Sequence, residues 1–347
     1  MYKQIYKHIS ILILQFCLVT SNVFGFDKTV KLLPNTIIEQ VINNYGINVR
    51  YSELINLGVE NDVYFLQSSD NTKYVLRKYR NADINRAEEE AILLQILAND
   101  SRFSNVIVSI LPNNNGKYIT QINDTTIFAL FPYIEGKHPE TLTSEQLNNI
   151  ITLIQLIHKK GIKYTSLFNN RIMESIQSFD LFFYNAFKNK ILQAKEYSNI
   201  VAINYAFLNS LNKYSYKTIV HRDIHKTNII IDNDSKLHLI DFDDFIVATP
   251  ALELSVIIRG IAFTKYGFDL EKAKVVLKKY DMSYTSEKLN SVDVYNMLLY
   301  DLVRVAKARL SKSSVANKKL IFAQVYNQIL LLQRYKKEFI SVMNDSS

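Results

Sequence analysis

The stretch that most limits what this chain can fold into spans residues 219–245, IVHRDIHKTNIIIDNDSKLHLIDFDDF. Ile229, Ile230 and Ile231 are β-branched and apolar, Asp232, Asn233, Asp234 and Ser235 are turn formers, and Leu237, Leu239 and Ile240 resume an apolar strand. That order predicts a short hairpin that folds two acidic loops toward each other. The first loop carries His221, Asp223 and Asn228, and the second Asp241, Asp243 and Asp244. Carboxylates and an amide oxygen gathered at one end of a hairpin are hard oxygen ligands, the donor set that suits Mg²⁺ bound through phosphates.

His221-Arg222-Asp223 followed by Asn228 fits H-x-D-x-x-x-x-N, and Asp241-Phe242-Asp243 stands at the spacing of D-F-G. The pair resembles the catalytic and metal-binding loops of protein-kinase-like phosphotransferases. Asp243 in place of the glycine, and His225 two residues after Asp223, make the chain more similar to the aminoglycoside phosphotransferase branch, which includes choline kinase, methylthioribose kinase and type II homoserine kinase. The resemblance implies an α+β, bilobal protein-kinase-like fold. An antiparallel-sheet N-lobe over residues 33–132 would precede a mainly helical C-lobe over 133–347.

The chain has room for two lobes and a large core, with 347 residues, 48% of them hydrophobic and 21% charged. Its net charge of +8 suits a polyanionic nucleotide, and no Lys/Arg block is long enough to argue for a nucleic acid polymer. At the N-terminus, Lys3 and Lys7 precede an uncharged run over residues 9–26. A basic start, an apolar middle and the small residues Val23 and Gly25 predict a secretory signal peptide over 1–25, and hence export to the periplasm or secretion. The alternatives are an uncleaved membrane anchor, for which the apolar stretch is short, and an N-terminal segment of a cytoplasmic protein. The only cysteine, Cys17, would leave with the signal, so cysteine usage does not report the compartment.

Residues 33–45 have helical spacing, with Asn35 or Thr36 as the cap. Three alternating strands follow at 52–57, 62–67 and 73–78. The turn at 58–61 holds Gly58 and Asn61 where relatives cover the nucleotide phosphates. Matching Val75-Leu76-Arg77 to V-A-I-K places Arg77 in the phosphate-binding position, while Lys78 on the opposite face stays open as the alternative. A helix over 82–98 is similar to the αC helix, and Glu90 is the expected partner of Arg77, with Glu88 and Glu89 on solvated faces. Further strands are expected at 106–111, 117–122 and 125–131. Residues 132–136 resemble the linker between lobes, where Tyr133 and Phe131 would flank a purine.

Beyond the linker the pattern is helical: one helix capped at Thr143 or Ser144, others at 171–197, 202–214 and 292–310. The aromatic residues Phe179, Phe182, Phe183, Tyr184 and Phe187 read as core packing, with an acceptor-site wall as the second reading. His158 and Glu253 read as structural, Glu253 bracing the catalytic loop from a helix N-terminus, as its counterpart does in relatives.

The resemblance assigns Asp223 to the acceptor hydroxyl and His225 to the transferred phosphoryl group. It assigns Asn228, Asp241 and Asp243 to Mg²⁺, and Arg77, Lys78, Glu90, Asn61 and Tyr133 to the nucleotide. The implied activity is ATP- and Mg²⁺-dependent phosphorylation of a hydroxyl on a small molecule such as an amino alcohol, amino acid, sugar or aminoglycoside. The acidic cluster by itself suits a cationic acceptor. The competing readings are a secreted protein kinase acting on a host macromolecule and a nucleotide-binding pseudokinase. The first lacks an A-P-E segment, and the second is at odds with the presence of every catalytic residue type.

Overall fold

The computed structural model describes residues 32–57, 61–80, 83–169, 172–264, 267–285 and 287–342. The expected signal peptide, the turn at 58–60, and the expected helix starts at Ala82 and Arg171 lie outside the described residues. Five antiparallel strands make the N-terminal sheet: β1 (Val49–Leu57), β2 (Asn61–Ser68), β3 (Lys73–Tyr79), β4 (Thr120–Asn123) and β5 (Thr126–Pro132), in the order β1-β2-β3-β5-β4. Alternation along each strand sorts its side chains between two cores. Leu66, Leu76, Phe128 and Leu130 face helix α1 (Asn35–Tyr45), which lays Ile37 and Val41 on them. Each such side chain contributes about 1.5–3 kcal/mol on burial. The helix starts after Pro34 with no side-chain cap, so neither Asn35 nor Thr36 caps it.

Tyr79, Ile127, Ala129 and Phe131 face the other way, onto helix α2 (Ile84–Ala98) and the larger core shared with the rest of the chain. Asp83 caps α2 by accepting the Arg86 N–H at 3.0 Å. Residues 106–111 are not a strand, contrary to their apolar pattern. The Val106 carbonyl accepts from Leu239 N at 2.8 Å and Leu111 N donates to Leu130 O at 2.8 Å. The segment therefore crosses between two sheets and cannot ladder with either. The strand expected at 117–122 begins only at Thr120, after a turn closed by Gly116 N to Asn113 O.

The second half is helical around a small β layer. Helix α3 (Ser144–Gly161) opens with a capping box between Thr143 and Gln146. Helices α4 (Ile172–Lys188) and α5 (Ala194–Asn212) are separated at 189–193, where Lys190 has φ +56°, so the helix expected over 171–197 is broken. β6 (Gly136–Lys137), β8 (Ile229–Asp232) and β9 (Leu237–Leu239) form one antiparallel sheet, and β7 (Thr218–Val220) pairs with β10 (Ile246–Ala248). Helices α6 (Pro250–Ala262), α7 (Leu270–Lys279), α8 (Ser291–Ser311), α9 (Val315–Arg334) and α10 (Lys336–Ser341) complete the lobe. Among the described residues no helix is long and apolar enough to cross a membrane.

Candidate active site

The hairpin β8–β9 holds the two acidic loops together at its open end. Ile240 N donates to Asn228 O at 3.0 Å, and His221 Nε2 bonds the Ile240 carbonyl at 3.0 Å. The His221 ring packs on Phe242 at 4.4 Å. The first loop is braced from below by Glu253, which is fully buried on α6 and accepts the backbone N–H groups of His221 and Arg222, the latter at 3.0 Å. His158, also fully buried, lies 3.8 Å from the same carboxylate. Both residues therefore occupy the structural places expected of them. Arg222 and Asp241 have φ of +69° and +70°, a conformation that costs non-glycine residues energy and is held here by these bonds.

Asp223 is held at both carboxylate oxygens. Oδ2 accepts from Asn228 Nδ2 at 3.0 Å and lies 3.1 Å from His225 Nε2, while Oδ1 faces Arg259 Nη2 at 3.4 Å. Burial alone would raise its pKa, but the His225 hydrogen bond and the charges of His225, Arg304 and Arg259 hold it well below the usual carboxylate range. The His225 ring is fixed by Thr227 Oγ1 at 2.8 Å from Nδ1.

Arg77, on β3, donates to Glu90 at 2.6 Å and reaches Asp241 Oδ1 at 3.1 Å, with its guanidinium 5.0 Å from the centre of the Phe131 ring. Tyr79 donates to the second Glu90 oxygen at 3.0 Å. Register places Arg77 opposite Val63 and Ala129, on the α2 side, and Lys78 on the face of Leu76. This separates the two candidates: Arg77 is in the site and Lys78 points away from Glu90. Burial works against the Arg77 charge, but Glu90 and Asp241 outweigh it and hold its pKa well above the ordinary value.

The donors fit a divalent cation shared with phosphates. Asp241 keeps an open edge, 36% of its side chain, yet its Oδ1 is closed off and accepts no hydrogen bond, since the Arg77 contact lacks hydrogen-bond geometry. Burial raises the Asp241 pKa, opposed by Arg77 and reinforced by Glu90 and Asp223. Oδ1 is met by the Arg77 charge, so the exposed edge of the carboxylate is the face that could take a cation. Among the described residues no three His, Cys, Asp or Glu side chains form a complete cage.

The remaining acids are engaged elsewhere. Asp243 Oδ2 accepts from Asn61 Nδ2 at 2.6 Å, which ties the start of β2 across the cleft to the second acidic loop. Asp244 pairs with Arg304 at 2.9 Å and Arg222 at 3.5 Å. Asp243 and Asp244 are therefore engaged within the protein, while Asp223 and Asp241 keep about a third of their side chains exposed. Tyr133, in the linker, meets Phe65 edge-on at 5.2 Å beside the cleft. Of the aromatic insert, Phe179 and Phe183 are core residues, 1% exposed, whereas Tyr184 is 41% exposed, so core packing holds for part of it.

Three residues escaped sequence reading. Arg86 on α2 donates to Asp243 O at 2.8 Å and to Phe245 O, and stacks over the Phe245 ring at 4.4 Å. Its position one turn before Glu90, on the same helix face, was the available signal. Arg259 and Asp301 form a buried pair that the sequence does not announce, because its members sit on different helices.

A five-stranded sheet lobe followed by a helical lobe, with Asp223, Asn228 and Asp241 gathered at the open end of one hairpin and Arg77 on β3 paired with Glu90 and Asp241, defines a phosphotransferase of the protein-kinase-like class. The chain belongs to the phosphotransferase enzyme family, whose model matches residues 53–275. No curated protein sequence matches it. Among solved structures the chain is similar to a microcompartment-associated aminopropanol kinase (TM-score 0.64, 15% identity, 89% of this chain and 100% of that one). It is also similar to a spectinomycin phosphotransferase solved with ADP and spectinomycin (TM-score 0.61, 15% identity, 87% and 99%). A third is an amicoumacin kinase with AMP-PNP and Ca²⁺ (TM-score 0.63, 12% identity, 88% and 93%). At these identities the likeness establishes the fold.

Proposed function

We propose that this protein is an ATP- and Mg²⁺-dependent kinase of a small hydroxylated molecule. The single observation that carries the reading is the convergence of Asp223, Asn228 and Asp241 with the Arg77–Glu90 pair at one cleft. Phosphoryl transfer asks a protein for positioning and charge neutralisation rather than covalent chemistry. Asp223 stays anionic at neutral pH and orients the acceptor hydroxyl, taking its proton as the oxygen attacks. Asn228 and Asp241 would hold the cation, which would supply charge neutralisation at the phosphates. Arg77, kept charged and aimed by Glu90, meets the α- and β-phosphates. His225 stands beside Asp223 to contact the transferred group, and Asn61, Asp243 and Tyr133 close the nucleotide side. The nucleotide complexes of the spectinomycin and amicoumacin enzymes support the donor assignment, and their acceptors support the small-molecule class.

The test is ATP consumption by the purified protein against a panel of small alcohols, with Asp223→Ala as control. The variant should lose turnover while keeping Mg-ATP affinity by calorimetry. A near-normal rate in Asp223→Ala would refute the role.

A further inference from the structure

The loop that carries Asp241 is fixed at both ends, by different parts of the chain. On the entering side Ile240 N donates to Asn228 O and the Ile240 carbonyl meets His221, so the hairpin itself holds that end. On the leaving side the chain turns at once, with Phe245 N donating to Phe242 O at 3.2 Å. The acidic side chains of that turn are engaged, Asp243 by Asn61 and Asp244 by Arg304 and Arg222. Its carbonyls at Asp243 and Phe245 both go to one side chain, Arg86 of α2. Nε donates to the first at 2.8 Å and Nη2 donates to the second. The guanidinium lies over the Phe245 ring, 4.4 Å from its centre, and Phe168 packs edge-on against the same ring at 5.0 Å. Arg86 is itself aimed: Glu89 Oε2 lies 3.5 Å from Nη1, and Asn169 Nδ2 donates to the other Glu89 oxygen at 2.8 Å.

We infer that Arg86 is a positioning residue for the metal-binding loop: it sets the direction of Asp241 by clamping the turn that follows it to the helix that also carries Glu90. The inference rests on the phosphotransferase reading and adds to it a residue that acts through Asp241. Arg86 and Glu90 stand four residues apart on one face of α2. One helix therefore reaches Asp241 twice, at the carboxylate through Glu90 and Arg77, and at the backbone through Arg86 and the turn. Asp241 has φ +70°, a torsion that a non-glycine residue keeps only while its surroundings over-determine it. Release of the turn lets that torsion relax, and the carboxylate edge left open for a cation swings with it. A guanidinium suits this task better than an ammonium, because its rigid fork serves two carbonyls at a fixed spacing while its plane stacks on an aromatic ring.

The experiment titrates the purified protein with AMP-PNP by calorimetry, once with Mg²⁺ and once in EDTA, at constant ionic strength. The ratio of the two affinities reads the cation's contribution. Arg86→Met keeps the stem against Phe245 and removes both donors. It should lower the ratio by about tenfold, the effect of losing a hydrogen bond from a charged donor, and leave the EDTA affinity as in the parent. Arg86→Lys keeps the charge but not the fork and should fall between the two; where Arg86→Met does not fold, Arg86→Lys reads the same ratio. Val41→Ala, on α1 against the opposite face of the sheet, is the structural control: it should lower the urea midpoint and leave the ratio alone. A parent-like ratio in either Arg86 variant, or an equal fall of the ratio in Val41→Ala, would overturn the inference while the parent's Mg²⁺-dependent binding keeps the kinase reading in place. A parent that binds AMP-PNP equally with and without Mg²⁺ would overturn both.

Discussion

Helix α6 passes so close to the catalytic loop that one missing side chain sets their distance. A Cβ at Gly260 would lie 2.4 Å from the Ile224 carbonyl oxygen and 3.2 Å from His225 Cα. An ordinary carbon–oxygen contact is roughly 1 Å longer than the first of these. Gly260→Ala must therefore push the loop carrying Asp223 and His225 off the helix by about that amount, since backbone atoms cannot rotate aside. Two local effects act the other way: alanine gains about 1 kcal/mol over glycine inside a helix, part of it by restricting the unfolded chain. Overpacking of a closed core costs about 1–3 kcal/mol. The balance is a destabilisation of about 1 kcal/mol, read as a lower urea midpoint at unchanged slope. The larger effect falls on turnover, because a reacting group misplaced by about 1 Å costs on the order of 100-fold in rate. Mg-ATP affinity should fall much less than turnover, since Arg77, Glu90 and Asp241 lie outside the displaced loop. If Gly260→Ala is more stable than the parent and turns over normally, propensity alone governs position 260 and the close-approach argument fails.

Further outcomes follow from the same contacts. Asp241→Asn keeps the size of the side chain and removes the closed-off anion, so Mg-ATP affinity by calorimetry should fall by at least tenfold, while an unchanged affinity would count against the metal role. Asp301→Asn leaves Arg259 and Arg304 without their shared buried carboxylate and should cost about 3 kcal/mol. Burial would raise the Asp301 pKa, but Arg259 and Arg304 outweigh it and hold it below the ordinary value. That contribution is therefore present above the ordinary carboxylate pKa and lost as pH falls through the folded value. The gap between parent and variant should narrow only in acid, and a gap that widens there would contradict the sign. For the N-terminal run, the basic start and uncharged middle lead to a mature chain beginning near Phe26; an intact mass retaining Met1 in a soluble cytoplasmic fraction would reject export.

Local sequence fixed the parts of this protein that need only neighbours to form. The triple isoleucine, the Asp-Asn-Asp-Ser turn and the resumed apolar strand specify the hairpin, and the hairpin brings His221, Asp223, Asn228 and Asp241 to one end. The pairing of Arg77 with Glu90 was also legible, because strand alternation and helix periodicity each place one partner, although alternation alone left Lys78 open. Tertiary structure decided what depends on long-range charge. Whether Asp243 and Asp244 stay free or are consumed turns on Asn61, Arg222 and Arg304, residues up to 182 positions away. Residues 106–111 look like a strand, yet their hydrogen bonds go to two different sheets, a choice no local pattern contains. Periodicity encodes which face a side chain takes; which charge it then meets is set by how the helices pack, as Arg259 of α6 shows by meeting both Asp223 and Asp301 of α8.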